Sequence, residues 1–555
     1  MAEIILGGYP AKRCARRTHN AFDPTAPPLG PADAGRQALI EAGLAFEAVV
    51  VDAVRRALGD TGQLRVIDEP DWAQATAATL AAIAERVPVI AGARLPNRGG
   101  RSGAPDLLVH RAGGYLPVEV KNHKVLTSTT RSSKPKSRSA VLASALGAPA
   151  AIHTVAGFGA KPDRRRDDGM QLAHYTRMLQ DLGCHPGGGT DDPELLLGGI
   201  IGTSDLHELL GAELGILWHR LGDPPGSVLA RYDEEFDLRL RVARAAAAGG
   251  ELVRPVRIPE CGSCDWFAHC AQVVADDDAS FALQTGQLSL PEWRYLYTAA
   301  GDGSALTVAQ LAAVDVEAQL DGFAAVSGGG KPARARLAGA VRRARMTLDG
   351  QDVEPRGAHW PTIPSADVEV DFDIEWDTDE RIYQWGIRIR DGHHDAGARY
   401  EPVVSFRPLD DAAEAALAEE FAARLERLRA AADRDGKSLS IYHWSAVEIT
   451  RSARFPRVAA ALSGVSVDLC AWFKREFFAR TSSSIKAVAP LFGFDWGDAD
   501  AGGLTAQARI EQARGSGPDA AAARDWCLRY NRDDVAAQAA IRDGLRRLGA
   551  AAGPP

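Results

Sequence analysis

Gly103-Ala-Pro-Asp106-Leu-Leu-Val-His-Arg-Ala-Gly-Gly-Tyr-Leu-Pro-Val-Glu119-Val-Lys121 holds two short apolar runs separated by Arg111 to Gly114, a spacing that predicts a β-hairpin. A connection across 111–114 sets residue 106 opposite residue 119, so two carboxylates face each other. Glu119 and Lys121 are two positions apart and project from one face of their strand. Two acids and an ammonium therefore converge. That grouping suits a hard divalent cation, Mg²⁺ or Mn²⁺, held through oxygen, with Lys121 placed to position a nucleophile or offset developing charge. The alternative at this level is an exposed strand, because Glu-Val-Lys at a strand end is a common sequence.

Downstream, Gln171-Leu-Ala-His-Tyr175 puts Gln171 and Tyr175 one helical turn apart on a common face. Upstream, a helical pattern from Gly43 to Leu58 carries Glu47. Cys261-Gly-Ser-Cys264-Asp-Trp-Phe-Ala-His-Cys270 is a CxxC followed, after five residues, by a third cysteine, and Cys14 lies near the other end of the same region. Four thiolates satisfy tetrahedral zinc or a [4Fe-4S] cluster equally well. Cys184, Cys470 and Cys527 lack partner spacing and read as small core residues.

A PD...ExK pattern followed by QxxxY, bracketed by one N-terminal cysteine and a CxxC-x5-C, resembles the RecB-like nucleases of the PD-(D/E)XK superfamily. The resemblance implies a restriction-endonuclease-like α/β domain over residues 1–283. It implies a phosphodiester-hydrolysing site built from Asp106, Glu119, Lys121, Gln171 and Tyr175, with Asp106 and Glu119 as ligands of Mg²⁺ or Mn²⁺. It also implies a structural [4Fe-4S] cluster on Cys14, Cys261, Cys264 and Cys270, shielded by Trp266 and Phe267, with zinc as the alternative. Glu47 stands where that family often has a metal-binding histidine, and offers a carboxylate in its place.

The second informative stretch is Val368-Glu-Val-Asp371-Phe-Asp373-Ile-Glu375-Trp, in which Asp371, Asp373 and Glu375 alternate along a strand and share one face. Like charges on a buried face are costly unless a cation neutralises them; an exposed, acid-rich edge strand is the ordinary alternative. Ile441-Tyr-His443-Trp-Ser-Ala-Val-Glu448, Val467-Asp468-Leu, Ser484-Ile-Lys486 with Leu491-Phe-Gly-Phe, and Tyr530-Asn-Arg-Asp-Asp534 follow in order. The last places Tyr530 and Asp534 on one helical face. The series resembles the DEDD-type exonucleases of the RNase H-like superfamily, with Glu448 where many relatives carry Asp. It implies a metal site on Asp373, Glu375, Glu448 and Asp534, with Tyr530 orienting water.

Around these motifs the 555-residue chain divides into residues 1–283, a helical connector at 284–350 and an RNase H-like domain at 364–555. Pro291 to Ala299, Thr307 to Val314 and Ala333 to Met346 read as connector helices. Leu306-Thr-Val-Ala-Gln-Leu-Ala resembles the second half of a helix-hairpin-helix, with a plain helix as the alternative, and Asp349 to Pro364 reads as a linker. With 46% hydrophobic and 25% charged residues and a net charge of -9, the chain is globular and no general coat for nucleic acid. Basic residues cluster at Lys121 to Lys124, Arg131, Lys134, Lys136 and Arg138, and at Arg164 to Arg166. Their place after the candidate catalytic strand favours a local nucleic-acid contact over a solvated loop. Thr127 to Ser139 reads as disordered when free. The sequence shows no long apolar span and no secretory pattern at its start, which predicts a cytoplasmic protein without membrane contact. The expectation from both resemblances is a metal-dependent nuclease cleaving DNA at single-stranded or resected ends in repair or recombination. A GxxxxGK[ST] signature is missing, so unwinding would fall to a separate helicase. Alternatives are a nucleic-acid-binding adaptor with non-catalytic metal sites and an RNA-processing exonuclease.

Overall fold

The computed structural model describes residues 3–29, 34–59, 61–127, 140–160, 162–223, 227–283, 288–301, 305–327, 330–377, 379–497 and 503–551. The chain forms two compact units, one of Met1–Pro31, Gln37–Pro255 and Gly262–Gln272, the other of Ala32–Arg36, Val256–Cys261 and Val273–Pro555. No helix of the described residues is long and apolar enough to cross a membrane.

In the first unit eight strands run along the chain as β1 (Leu64–Val66), β2 (Val89–Ala91), β3 (Leu107–Arg111), β4 (Gly114–Lys121), β5 (Ala140–Ala145), β6 (His153–Ala156), β7 (Leu197–Gly202) and β8 (Gly215–Arg220). They form one sheet in the order β1-β2-β3-β4-β7-β8-β5-β6. β3 and β4 pair antiparallel from Arg111↔Gly114 to Leu107↔Val118, and Ala112 and Gly113 in the turn both have positive φ, 52° and 84°. Two left-handed residues give the turn a twist that matches the strands, which fixes the register and carries Asp106 opposite Glu119. β4 is buried along nearly its whole length, as expected of a strand covered on both faces. One face packs on α2 (Ala34–Leu58) through Val50, Val54 and Leu58. The other supports α3 (Pro162–Asp181) and α4 (Val228–Ala247) through Leu172, Tyr232 and Phe236. β7 then pairs parallel with β4. The helix bearing Glu47 begins nine residues before the Gly43 read from sequence. Arg131, Lys134, Lys136 and Arg138, with the rest of the Ser/Lys-rich stretch beyond Thr127, lie outside the described residues; Arg164, Arg165 and Arg166 fall on α3, with side chains outside the description.

After the short helix Ala279–Ala282, the second unit carries α5 (Leu290–Ala300), α6 (Val308–Ala312), α7 (Val316–Val326) and α8 (Gly330–Leu348). Capping boxes at Ser289/Glu292 and Thr307/Gln310 start α5 and α6 by pairing amides that the first turn leaves open. Leu296, Leu311, Phe323, Leu337 and Val341 form their core. The 349–364 stretch is no mere linker: Val353–Pro355 pairs antiparallel with Phe477–Ala479. A five-stranded sheet follows, made of β9 (Val368–Trp376), β10 (Ile382–Asp391), β11 (Arg399–Val404), β12 (Leu439–His443) and β13 (Ser466–Asp468) in the order β11-β10-β9-β12-β13. Its first three strands are antiparallel and the last two run parallel to β9. α9 (Asp411–Arg434) packs Phe421 and Leu425 on one face. α10 (Pro518–Ala551) crosses the other, where Gln538 Nε2 donates to the carbonyl of Phe372 at 3.0 Å. The turn at Leu491–Phe494 is followed by a further helix, Gly503–Ala513, before α10.

Candidate functional site

Strand alternation divides β9. Val370, Phe372 and Ile374 enter the apolar core, while Glu369, Asp371, Asp373 and Glu375 face α10. The first two acids are neutralised. Arg542 of α10 bonds Asp371 through two nitrogens at 2.5 and 3.2 Å. Glu369 accepts from Arg390 at 3.0 and 2.7 Å and from Arg546 at 2.7 Å. Burial opposes ionisation of Glu369, but Arg542, Arg390 and Arg546 outweigh it and hold the group below the usual carboxylate range.

The other two acids meet more acid. One oxygen each from Asp373, Glu375 and Asp534 lies within 4.8 Å of the others, and among the described residues no arginine pairs with them. Burial, then the charges of Glu375, Asp534 and Glu448, drives Asp373 well above the ordinary range. Burial and Asp534 push Glu375 up to about 8; Glu448 goes to about 7, chiefly by burial, and hydrogen-bonds with Asp373. Such a set holds protons when empty and gains most from a cation. The donor set is hard oxygen and fits Mg²⁺ or Mn²⁺.

Neighbouring residues hold these carboxylates in place. Asn531 Nδ2 donates to Asp373 Oδ2 at 2.8 Å and its oxygen accepts from Tyr400 at 2.8 Å. Lys486 Nζ and Trp496 Nε1 both donate to Asp534 Oδ1, at 2.7 and 2.6 Å. Ser445 donates to Glu448 at 2.9 Å. Tyr530 stacks on Trp526 with ring centres 5.0 Å apart, and burial with Asp534 raises its hydroxyl far above the ordinary range. Beside them a cavity of about 300 Å³ is lined by Trp496, Trp526, Arg529, Tyr530 and Arg532. Aromatic faces and cations next to acids suit a nucleotide.

In the first unit the hairpin and α3 assemble a second site. Lys121 Nζ donates to Glu119 Oε2 at 2.6 Å and to Gln171 Oε1 at 3.1 Å. Gln171 Nε2 donates to Glu119 at 2.8 Å and to Tyr175 at 3.1 Å. Asp106 Oδ2 accepts from the amide of Val120 at 2.6 Å. Burial, then Glu119 and Glu47, raises Asp106, so Glu47 on α2 acts on the same spot. Burial raises Glu119 against the pull of Lys121. Burial disfavours the Lys121 ammonium, but Glu119 and Asp106 outweigh it and raise its pKa. Glu119 Oε1 is buried without a hydrogen-bond partner, an orphaned lone pair that fits a cation.

Cys14 stands at the N-cap of α1 (Ala15–Phe22). From that helix Arg17 pairs with Asp265 at 3.1 Å and Asn20 Nδ2 reaches Cys270 Sγ at 3.4 Å. Burial raises the Cys270 thiol; Asn20 and Arg16 oppose this, and Cys14 and Cys264 add to it. Cys261 falls in the other unit, its Sγ accepting from the amide of Ile258 at 3.4 Å. Trp266 is buried, and Cys470 and Cys527 are core residues.

Two neighbouring acids of these segments have other partners. Asp371 shares the face of Asp373 but belongs to Arg542. Asp468 caps the helix Leu469–Glu476 by accepting from the amide of Ala471 at 2.8 Å. Sequence reasoning also passed over Lys12, whose Nζ donates to Gln171 Oε1 at 2.9 Å and whose pKa falls to about 8 through burial and Lys121. It missed Asn531, Trp496 and Tyr400 as well, although the Lys486 and Asp534 segments had been singled out.

No curated protein matches the chain, and no solved structure does. Residues 370–546, which span β9 to α10 and carry Asp373, Glu375, Glu448 and Asp534, match RNase_H_2, a family of the RNase_H superfamily; this segment is an RNase H-like domain, with the nuclease-type chemistry on nucleic acid that the superfamily implies.

Proposed function

We propose that the chain is a divalent-cation-dependent nuclease that hydrolyses DNA at single-stranded or resected ends, with its principal site on Asp373, Glu375, Glu448 and Asp534. The observation that carries this reading is the convergence of three of those carboxylates within 4.8 Å, with Lys486 against Asp534 and no guanidinium paired with them among the described residues. A bound Mg²⁺ or Mn²⁺ would supply water activation and neutralise charge on the scissile phosphate. The chain's own residues do the rest. Asp373, Glu375 and Asp534 bind, with Glu448 completing the ring. Asn531 fixes the Asp373 carboxylate, and Lys486 turns Asp534 and places positive charge beside the site. Tyr530, neutral at any physiological pH, orients a water, while Trp526 and Trp496 offer stacking surfaces to the terminal base.

We assign a second hydrolytic site to Asp106, Glu119 and Lys121, with Gln171, Tyr175 and Glu47 around it. It is supported by the orphaned Glu119 Oε1 and by the hydrogen-bond network that joins Glu119, Lys121, Gln171 and Tyr175. Cys14, Cys261, Cys264 and Cys270 are assigned to a [4Fe-4S] cluster with a structural role. Their sulfur donors suit iron or zinc alike, and the order of the motifs favours iron. A cytoplasmic setting and a separate helicase complete the reading.

The test is cleavage of end-labelled single-stranded DNA and RNA by the full chain in Mn²⁺, with Lys121→Ala and Asp534→Ala singly and together. Loss of cleavage on Asp534→Ala with binding intact supports the principal site. Binding without cleavage by the unmodified protein would instead make it an adaptor, and preference for RNA would redirect the substrate. Anaerobic protein should be brown, with broad absorbance near ~400 nm, and Cys264→Ser should bleach it; a colourless protein with one zinc overturns the cluster.

A further inference from the structure

We propose that a cationic cavity between α8 and the ribbon Val353–Pro355/Phe477–Ala479 binds a backbone phosphate of the strand cleaved at Asp373, Glu375 and Asp534. This rests on the reading that the second unit acts on nucleic acid. Three guanidiniums gather on one ring: Arg342, Arg343 and Arg356 lie 4.5, 4.6 and 5.2 Å from the centre of Phe478. Arg342 has a partner in Glu354. Arg356 uses its Nε on the carbonyls of Lys474 and Phe477, at 2.8 and 2.9 Å. Arg343 has no carboxylate among the described residues, and its Nε is buried without a partner. Burial, Arg356 and Arg342 together lower its pKa to about 10. A ring face attracts a desolvated cation but does not supply the negative charge that three guanidiniums sharing one carboxylate leave uncompensated. An anion is the missing component.

The space beside them is built for one. Arg343, Arg356 and Lys474 line a cavity of about 300 Å³ together with Thr481, Ser482 and Ser483, over a floor of Phe473, Phe477 and Phe478 and with no carboxylate in the lining. A second hollow of about 420 Å³ shares Arg343 and Phe478 and is otherwise mostly apolar, with Arg336 already paired with Glu292. The location identifies the anion. Ser483 is three residues from Lys486, whose ammonium holds Asp534 at 2.7 Å; three residues span at most about 10 Å. A strand leaving the catalytic acids therefore meets this cavity within a short distance. In a chain of net charge -9, a local group of cations that outnumbers its one carboxylate, Glu354, is where backbone affinity resides.

The test uses the full chain in EDTA, where cleavage is silent, and follows fluorescence anisotropy of a labelled single-stranded 12-mer across a NaCl series. Arg343→Gln and Lys474→Gln should each raise Kd about three- to tenfold and lower the salt slope by about one. Lys474 is exposed, so its variant reports even if Arg343→Gln perturbs folding. An abasic deoxyribose-phosphate strand should compete as well as the parent, and inorganic phosphate weakly. Unchanged Kd and slope in both variants overturn the proposal, as does displacement of DNA by poly-glutamate but not by phosphate, which would mark an acidic protein partner. Weakened binding by the variants of a protein that never cleaves in Mn²⁺ keeps this site and removes the nuclease reading. Normal cleavage with unchanged binding does the reverse.

Discussion

The two halves of β9 carry the same kind of side chain on the same face and differ in what α10 sets against them. Glu369 and Asp371 meet Arg542 and Arg546, with Arg390 of β10 alongside. Asp373 and Glu375, one step further along the strand, meet Asn531 and Asp534 three turns earlier on the helix. Where the fold supplies permanent counter-charge, the acids fasten helix to sheet. Where it sets only Lys486 against a larger group of carboxylates, it leaves a place for an exchangeable cation. Four alternating acids are thus two different devices, and the helix opposite decides which is which.

The largest effect should come from removing a permanent cation. Arg542→Met leaves Asp371 buried and unpaired and should cost about 3–5 kcal/mol, read as a loss of the cooperative denaturant transition of the C-terminal unit. Asp373→Asn should do the opposite to the fold while lowering cleavage on the order of 10²–10³-fold, the loss of an electrostatic group that acts on the reacting centre. Its metal-free melting temperature should equal or exceed that of the unmodified protein, because a repelled charge is gone. If Asp373→Asn unfolds like Arg542→Met, the distinction between the halves is wrong.

Proton linkage sharpens the same contrast. Glu375 at about 8 and Glu448 at about 7 lie above the ordinary value of 4.5. Raised carboxylates stabilise the fold fully below their unfolded pKa, and that contribution disappears as pH rises through the folded values. In EDTA, melting should therefore fall between about pH 5 and 8, and Mg²⁺ should remove most of the fall. Glu369, held low by arginines, takes no part in that window. A melting temperature flat with pH in EDTA would show that the acids are already compensated.

The N-terminal hairpin was legible because local chemistry fixes it: turn residues, strand alternation and a two-residue spacing decide where Asp106, Glu119 and Lys121 point. Tyr530 and Asp534 were legible for the same reason, through helical spacing. What escaped came from far along the chain. Lys12 reaches Gln171 across 159 positions, and nothing in its own neighbourhood announces it. Arg356 joins Arg342 and Arg343 because a stretch read as linker pairs with Phe477–Ala479. A capping acid such as Asp468 and a candidate metal-binding acid look alike in sequence. The difference between Asp371 and Asp373 also lies wholly in residues about 160 positions away.

The smallest effect tests how finely the acids around Asp373 are positioned. Gly386 of β10 pairs with Asp373, and a Cβ there would collide with the Asn531 side chain. The absence of a side chain is what lets Asn531 lie over the strand and hold Asp373 Oδ2. Gly386→Ala should push the amide aside, leave the sheet and its core paired, and weaken apparent Mn²⁺ affinity about tenfold, at the low end of effects from residues that orient metal ligands. The readout is the Mn²⁺ midpoint for cleavage beside the denaturant midpoint. Asn531→Ala, which removes the amide without adding bulk, should shift the first by a similar factor. Equal Mn²⁺ midpoints in all three proteins would mean that Asp373 is held by the strand alone.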